Sequence, residues 1–169
     1  MSSSNIYGVR SSGNGHGDVP TSPEVVKYML DLVGYVSSRN LSDVYILEPS
    51  CGEGEFVVEI VKRLKESSIV FGFDAQEAFQ KCVFGCDIVA EKIMRCRQRL
   101  EALDFDTSLS HIEVSDFLHT RFPEMDVVIG NPPYVRYENI PSAQIDFIKN
   151  TFPTFHYRAD LYIPFFEKS

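Results

Sequence analysis

The sequence predicts an α/β fold on a mainly parallel sheet, and three observations carry that expectation. Short apolar runs alternate with segments of helical period along most of the chain. One junction reads strand, glycine loop, helix, the opening of a βαβ unit. A late apolar run is stopped by two consecutive prolines, as a strand entering a loop would be. The 169 residues, 44% apolar and 24% charged, suit one domain with a real core.

The first 19 residues hold five Ser and four of the ten Gly, the composition of a mobile arm. Order is expected from Thr21-Ser-Pro-Glu24, whose spacing fits a capping box with Pro23 in the first helical turn. Val26, Met29, Leu30 and Val33 follow at helical spacing. Val44 to Glu48 forms a short buried strand, Pro-Ser-Cys-Gly-Glu-Gly a tight loop, and a helix opens near Glu55 that buries Val57, Ile60, Val61 and Leu64. Two similar strand-like runs come next, Ile69-Val-Phe-Gly-Phe-Asp74 and Cys82-Val-Phe-Gly-Cys-Asp87. A helix using Val89, Ile93, Cys96 and Leu100 leads to strands at His111–Ser115 and Asp126–Gly130. Ile145, Ile148 and Phe152 mark a helix ended by Pro153, and Leu161–Lys168 starts one more. Asp126-Val-Val-Ile has the composition of a central strand, yet no neighbouring strand follows it. The expectation is the N-terminal portion of a longer domain.

Composition narrows the function classes. Sixteen basic against 24 acidic residues give a net charge of −8, which argues against a general polyanion binder. Nucleic acid at a local site stays open. No apolar run approaches the roughly 18 residues of a membrane span, and Met1-Ser-Ser-Ser-Asn-Ile-Tyr-Gly8 carries no secretory h-region. Cys51, Cys82, Cys86 and Cys96 lack Cys-x-x-Cys spacing and read as reduced cytoplasmic thiols.

The glycine loop first suggests a dinucleotide at a helix N-terminus. However, the third glycine of Gly-x-Gly-x-x-Gly is replaced by Val57, and Glu48, Glu53 and Glu55 crowd the loop. Three carboxylates repel a diphosphate and tolerate a cation. A ligand with no phosphates, a sulfonium and an ammonium fits: S-adenosylmethionine. Gly52 and Gly54 let the backbone approach it. Its ribose needs a carboxylate at the end of the second strand. Asp74 lies nearer the usual spacing of about 20 residues. Asp87 is followed by the stronger amphipathic helix and is favoured, with residues 65–82 as an insertion; the bland alternative for either is a turn or cap aspartate.

Asn131-Pro-Pro-Tyr134 arises by chance in about one chain in a thousand of this length, and it sits at a strand end, where α/β sheets bind ligands. Its chemistry suits a planar amino nitrogen, a poor nucleophile because its lone pair is delocalised. The Asn131 side-chain oxygen and the Pro132 carbonyl would accept its hydrogens and aim the lone pair at a methyl group. Tyr134 offers a stacking face.

On these residues the chain resembles the N6-adenine DNA methyltransferases of gamma-class motif order, found in restriction–modification systems. Gly17-Asp-Val-Pro-Thr-Ser-Pro-Glu-Val-Val26 is similar to the family's N-terminal motif and implies a cofactor contact for Thr21. Leu47-Glu-Pro-Ser-Cys-Gly-Glu-Gly-Glu-Phe56 resembles motif I, implying contacts for Glu48, Pro49, Cys51, Gly52 and Gly54. Gly85-Cys-Asp-Ile88 resembles motif II and makes Asp87 the ribose ligand. Val114-Ser-Asp-Phe117 resembles motif III, with Asp116 and Phe117 at the cofactor adenine. Asn131-Pro-Pro-Tyr-Val-Arg136 and Asp160-Leu-Tyr162 look like motifs IV and V.

The resemblance implies a Rossmann-like fold whose C-terminal strands lie outside this chain, with residues 20–169 a partial catalytic domain and no target-recognition domain. It implies a DNA partner, S-adenosylmethionine as cofactor and no metal, and a specificity or restriction subunit or a further C-terminal segment as complement. Alternatives are methylation of a protein glutamine or an RNA base, or a half-domain inactive until complemented. A nicotinamide dehydrogenase is disfavoured by the acidic loop. His16, His111, His119 and His156 stand apart and read as surface or structural. Arg95, Arg97 and Arg99 read as a solvated helix face, and Arg136 as a phosphate contact.

Overall fold

The computed structural model describes residues 20–156 and 158–169; the proposed N-terminal arm, 1–19, lies outside them. Two compact units emerge, one over 20–131 and one from 132 to the last residue.

The first unit is an α/β sheet. Its elements are α1 (Pro23–Leu32), β1 (Ile46–Glu48), α2 (Glu55–Phe71), α3 (Ala75–Cys82), β2 (Val83–Asp87), α4 (Ala90–Glu101), β3 (His111–Val114) and β4 (Val127–Val128). All strand pairs are parallel, in the order β3-β2-β1-β4. Three all-apolar or nearly all-apolar stretches make this possible, since strands covered on both faces need no alternation. Every residue of β1 is buried, and so are the first four of β2. The strand order reverses between β1 and β4, with Ile46 beside Val127 and Leu47 beside Val128.

The core lies between the sheet and its helices. Val57, Ile60, Val61 and Leu64 of α2 are all buried, as are Ile93, Cys96 and Leu100 of α4, so the helical spacing of these apolar residues identified the buried faces. Phe79 and Phe105 meet edge-on at 5.2 Å in the same core. Arg63 is buried within it. Its guanidinium donates to Asp31 at 2.7 Å, to Glu59 at 3.3 Å, and to the carbonyls of Tyr35 and Lys27 at 2.9 and 3.0 Å. The last turn of α1 carries no basic residue of its own, so α2 supplies the positive charge that a helix C-terminus favours.

Three expectations are corrected. Ile69-Val-Phe-Gly-Phe-Asp74 is no strand. Ile69, Val70 and Phe71 complete α2, with Ile69 81% and Val70 67% exposed. Gly72, at φ 73°, ends the helix, and the Asp74 side chain caps α3 by accepting from the Glu77 N–H at 2.9 Å. A helix already anchored by a buried upstream face continues through β-branched residues, whose propensity cost is a few tenths of a kcal/mol each. The cap of α1 is Ser22, accepting from Val25 at 3.5 Å, one residue later than Thr21. Val33 is the exposed C-cap of α1 and takes no part in its buried stripe.

The second unit carries a 3-10 turn (Tyr137–Asn139), α5 (Ser142–Thr151) and α6 (Tyr162–Lys168). Ile148 and Phe152 are buried, and α5 stops before Pro153. Pro164 falls in the first turn of α6, where its missing N–H breaks no helical bond. No helix among the described residues is long and apolar enough to cross a membrane.

Candidate functional site

Parallel strands bring their carboxyl ends to one edge, and four of the residues flagged by the sequence lie at or just past those ends. Glu48 ends β1, Asp87 ends β2, Asp116 lies two residues beyond β3, and Asn131 follows β4 at a distance of three residues. Main-chain bonds tie these ends together. Cys51 N–H donates to the Cys86 carbonyl at 2.8 Å, Ser115 N–H to the Asp87 carbonyl at 3.1 Å, and Ile129 N–H to the Leu47 carbonyl at 2.9 Å.

The loop after β1 is held from three sides. Gly52 and Gly54 have φ of 53° and 90°, values that favour glycine. A Cβ on Gly54 would stand 2.6 Å from the Cys96 sulfur, so α4 packs directly on this turn. A Cβ on Gly85 would lie 3.1 Å from Ile112 and 3.5 Å from Cys51; a Cβ on Gly130 would lie 3.3 Å from Glu48 Cγ and 3.4 Å from Pro49. The packing roles of Gly85 and Gly130 were not foreseen in the sequence, because a close approach between distant segments leaves no local pattern.

Asp87 anchors the same loop. Its Oδ2 accepts from Gly52 N–H at 3.0 Å and its Oδ1 from Val89 N–H at 2.9 Å. Asp74, its competitor, is occupied as a helix cap. Asp116 accepts from Leu118 N–H at 2.9 Å and lies 3.6 Å from the His119 ring nitrogen. Phe117 is buried, its ring 5.9 Å from that of Phe122. Thr21 is half-buried, immediately before the α1 cap.

The three carboxylates of the loop differ in state. Glu53 pairs with Arg95, and Arg99 donates to Glu55 at 3.1 Å and to the Glu53 carbonyl at 2.8 Å. Arg97 places two donors on the Ile112 carbonyl at 3.0 and 2.6 Å. Arg95 and Arg99 are exposed, as a solvated helix face requires, and they also tie α4 to the loop; Arg97 is half-buried and ties α4 to β3. Two of the three negative charges are thereby countered by exposed or half-exposed cations. Glu48 is not. It is buried, its Oε2 has no hydrogen-bond partner among the described residues, and its carboxyl is held well above the usual range, first by burial, then by Cys96 and Glu55.

The thiols nearby are quiet. Burial pushes Cys86 up to about 12, and its sulfur donates to the Pro49 carbonyl at 3.4 Å. Cys51 is raised by its hydrogen bond to Cys96 and then by burial. Neither is a ready nucleophile.

Ser50 was not singled out in the sequence, yet its hydroxyl donates to the Asn131 carbonyl at 3.1 Å. Asn131 closes the first unit and Pro132 opens the second. There Tyr134 is 55% exposed and its ring lies 6.2 Å from that of Tyr162. Arg136 is exposed.

Comparison with known proteins agrees with this architecture. The type IIG restriction endonuclease BpuSI has a similar fold, with a TM-score of 0.60 at 21% identity over 92% of this chain and 18% of that one. The Type II methyltransferase M.BstVI of Geobacillus stearothermophilus is 35% identical over 91% of this chain and 31% of its own length. M.XhoI of Xanthomonas vasicola is 35% identical over 90% of this chain and 30% of its own. The chain thus spans less than a third of the length of these curated relatives. The Eco57I restriction-modification methylase family matches residues 78–169, more than half of the chain. The chain belongs to that family.

Proposed function

We propose that the protein transfers a methyl group from S-adenosylmethionine to the N6 amino nitrogen of adenine in DNA, within a restriction–modification system. The observation that carries the reading is the junction of β1 and β4. A buried carboxylate with an unpartnered oxygen, Glu48, lies against Gly130, and Asn131 is the next residue.

The donor set fits the cofactor. Among the described residues Glu48 Oε2 lacks a donor, which suits the cationic methionine end. Gly52 and Gly54 give the loop the left-handed turn that carries its backbone past the end of β1, with Gly54 seated against Cys96. Asp87 sits at the end of the second strand, where a ribose acceptor belongs. Asp116, Phe117 and Thr21 are the further cofactor contacts in this reading. Bound there, S-adenosylmethionine supplies an electrophilic methyl group.

The chain's own residues do the rest. The Asn131 side-chain oxygen and the Pro132 carbonyl accept the two amino hydrogens, favour a pyramidal nitrogen and stabilise its developing positive charge. Tyr134 stacks on the flipped base, and Arg136 neutralises a phosphate. The greater length of the relatives leaves room for target recognition in a further segment or subunit.

The test is mass spectrometry of nucleosides from DNA incubated with the protein and S-adenosylmethionine. N6-methyladenine is expected from the wild type and is lost in Asn131→Ala. Label in protein or RNA, and none in DNA, would replace this substrate with the other planar nitrogens.

A further inference from the structure

We propose that Tyr162 is a positioning residue that sets the orientation of the Tyr134 ring, an inference that rests on the stacking role given to Tyr134 above. Both residues belong to the second unit, where one main-chain bond and one bond to a side chain clasp two segments together. Leu161 N–H donates to the Val135 carbonyl at 2.9 Å, and Tyr137 N–H donates to Asp160 Oδ1 at 3.3 Å. Val135 and Leu161 are buried, so the clasp is fixed by packing as well as by its bonds.

This pairing dictates what lies beside it. One residue before Val135 and one after Leu161 are Tyr134 and Tyr162, and their rings meet at 6.2 Å with a 48° tilt. That is within the range of favourable aromatic pairs. An aromatic side chain that is 55% exposed would otherwise sample several rotamers. A stacking surface already held in place loses less freedom when a base arrives. Phe166 meets Tyr162 edge-on at 6.1 Å but has no such relation to Tyr134. It serves as a control on the same helix.

The chain contains no tryptophan, so Tyr134→Trp introduces a single indole whose fluorescence anisotropy reports the freedom of that ring without DNA or turnover. In this background Tyr162→Ala should lower the anisotropy about twofold, Tyr162→Phe should restore it, and Phe166→Ala should leave it unchanged. In the wild-type background Tyr162→Ala should lower kcat for methyl transfer about tenfold through misplacement of the base, with S-adenosylmethionine affinity unchanged and rescue by Tyr162→Phe. Unchanged anisotropy in Tyr162→Ala overturns the inference, as does an equal drop in Phe166→Ala, which would mark a general loosening of α6. A wild type that methylates no adenine would defeat the reading of the reaction, and the anisotropy series would still decide the role of Tyr162.

Discussion

The Ser50 hydroxyl donates to the Asn131 carbonyl at 3.1 Å, joining the loop after the first strand to the residue that opens Asn-Pro-Pro-Tyr. The two are 81 positions apart in the chain. Ser50→Ala should cost about 1 kcal/mol of stability, the worth of one neutral hydrogen bond. Because the bond fixes the main chain at the proposed amino acceptor, methyl transfer should fall about tenfold with little change in S-adenosylmethionine affinity. Urea unfolding and transfer of labelled methyl to DNA measure the two effects.

Asp74 and Asp87 are separable by calorimetry. Asp74 caps α3, so Asp74→Ala should lose about 1 kcal/mol of stability and bind S-adenosylmethionine normally. Asp87 holds Gly52 N–H and is the proposed ribose acceptor. Asp87→Ala should weaken binding roughly ten- to hundredfold, the loss of one or two charge-assisted bonds. Equal affinity in the two variants would refute the assignment.

Glu48 gives a pH dependence with a definite sign. Burial, then Cys96 and Glu55, raise its carboxyl; Asp87 adds to this and the Val57 N–H opposes it. The folded protein therefore keeps a proton that the unfolded chain has already released. Its contribution to stability is complete below the unfolded value and is lost as pH rises from there through the folded value. Glu48→Gln should flatten that fall in urea midpoints measured from about pH 4 upward. A cationic ligand favours the ionised form, so binding of S-adenosylmethionine should release a proton. Calorimetry in buffers of different ionisation enthalpy detects it, and Glu48→Gln should abolish it.

Arg63 and Tyr35 make opposite predictions within one contact. Removing the buried guanidinium in Arg63→Met strands the Tyr35 and Lys27 carbonyls and should cost about 3 kcal/mol by urea unfolding. The buried Tyr35 hydroxyl has no hydrogen-bond partner among the described residues. Tyr35→Phe should therefore be neutral or stabilising by up to about 1 kcal/mol.

What was legible in the sequence was local. Apolar spacing named the buried faces of α2 and α4, and glycine after an apolar run marked the loop that holds the candidate site. Ile69-Val-Phe misled because a β-branched run resembles a strand in any local window. What decides it is the buried face earlier in the same helix, although Gly72 and Asp74 together carried the signal of one helix ending and another being capped. The ties of Arg95 and Arg99 to the acidic loop span more than 40 positions, and no spacing rule reaches that far. They also shift the electrostatic case for a cationic ligand from three carboxylates to Glu48.

The crowding around Gly54, Gly85 and Gly130 has a consequence for engineering. The turn from Glu48 to Gly54 owes its shape to bare backbone within β2 and just past β4, and to a thiol seated on a helix. Transplanted alone into another scaffold, those seven residues would meet side chains where these strands offer none. The portable unit is the whole set of strand ends, with position 85, position 130 and Cys96 carried along.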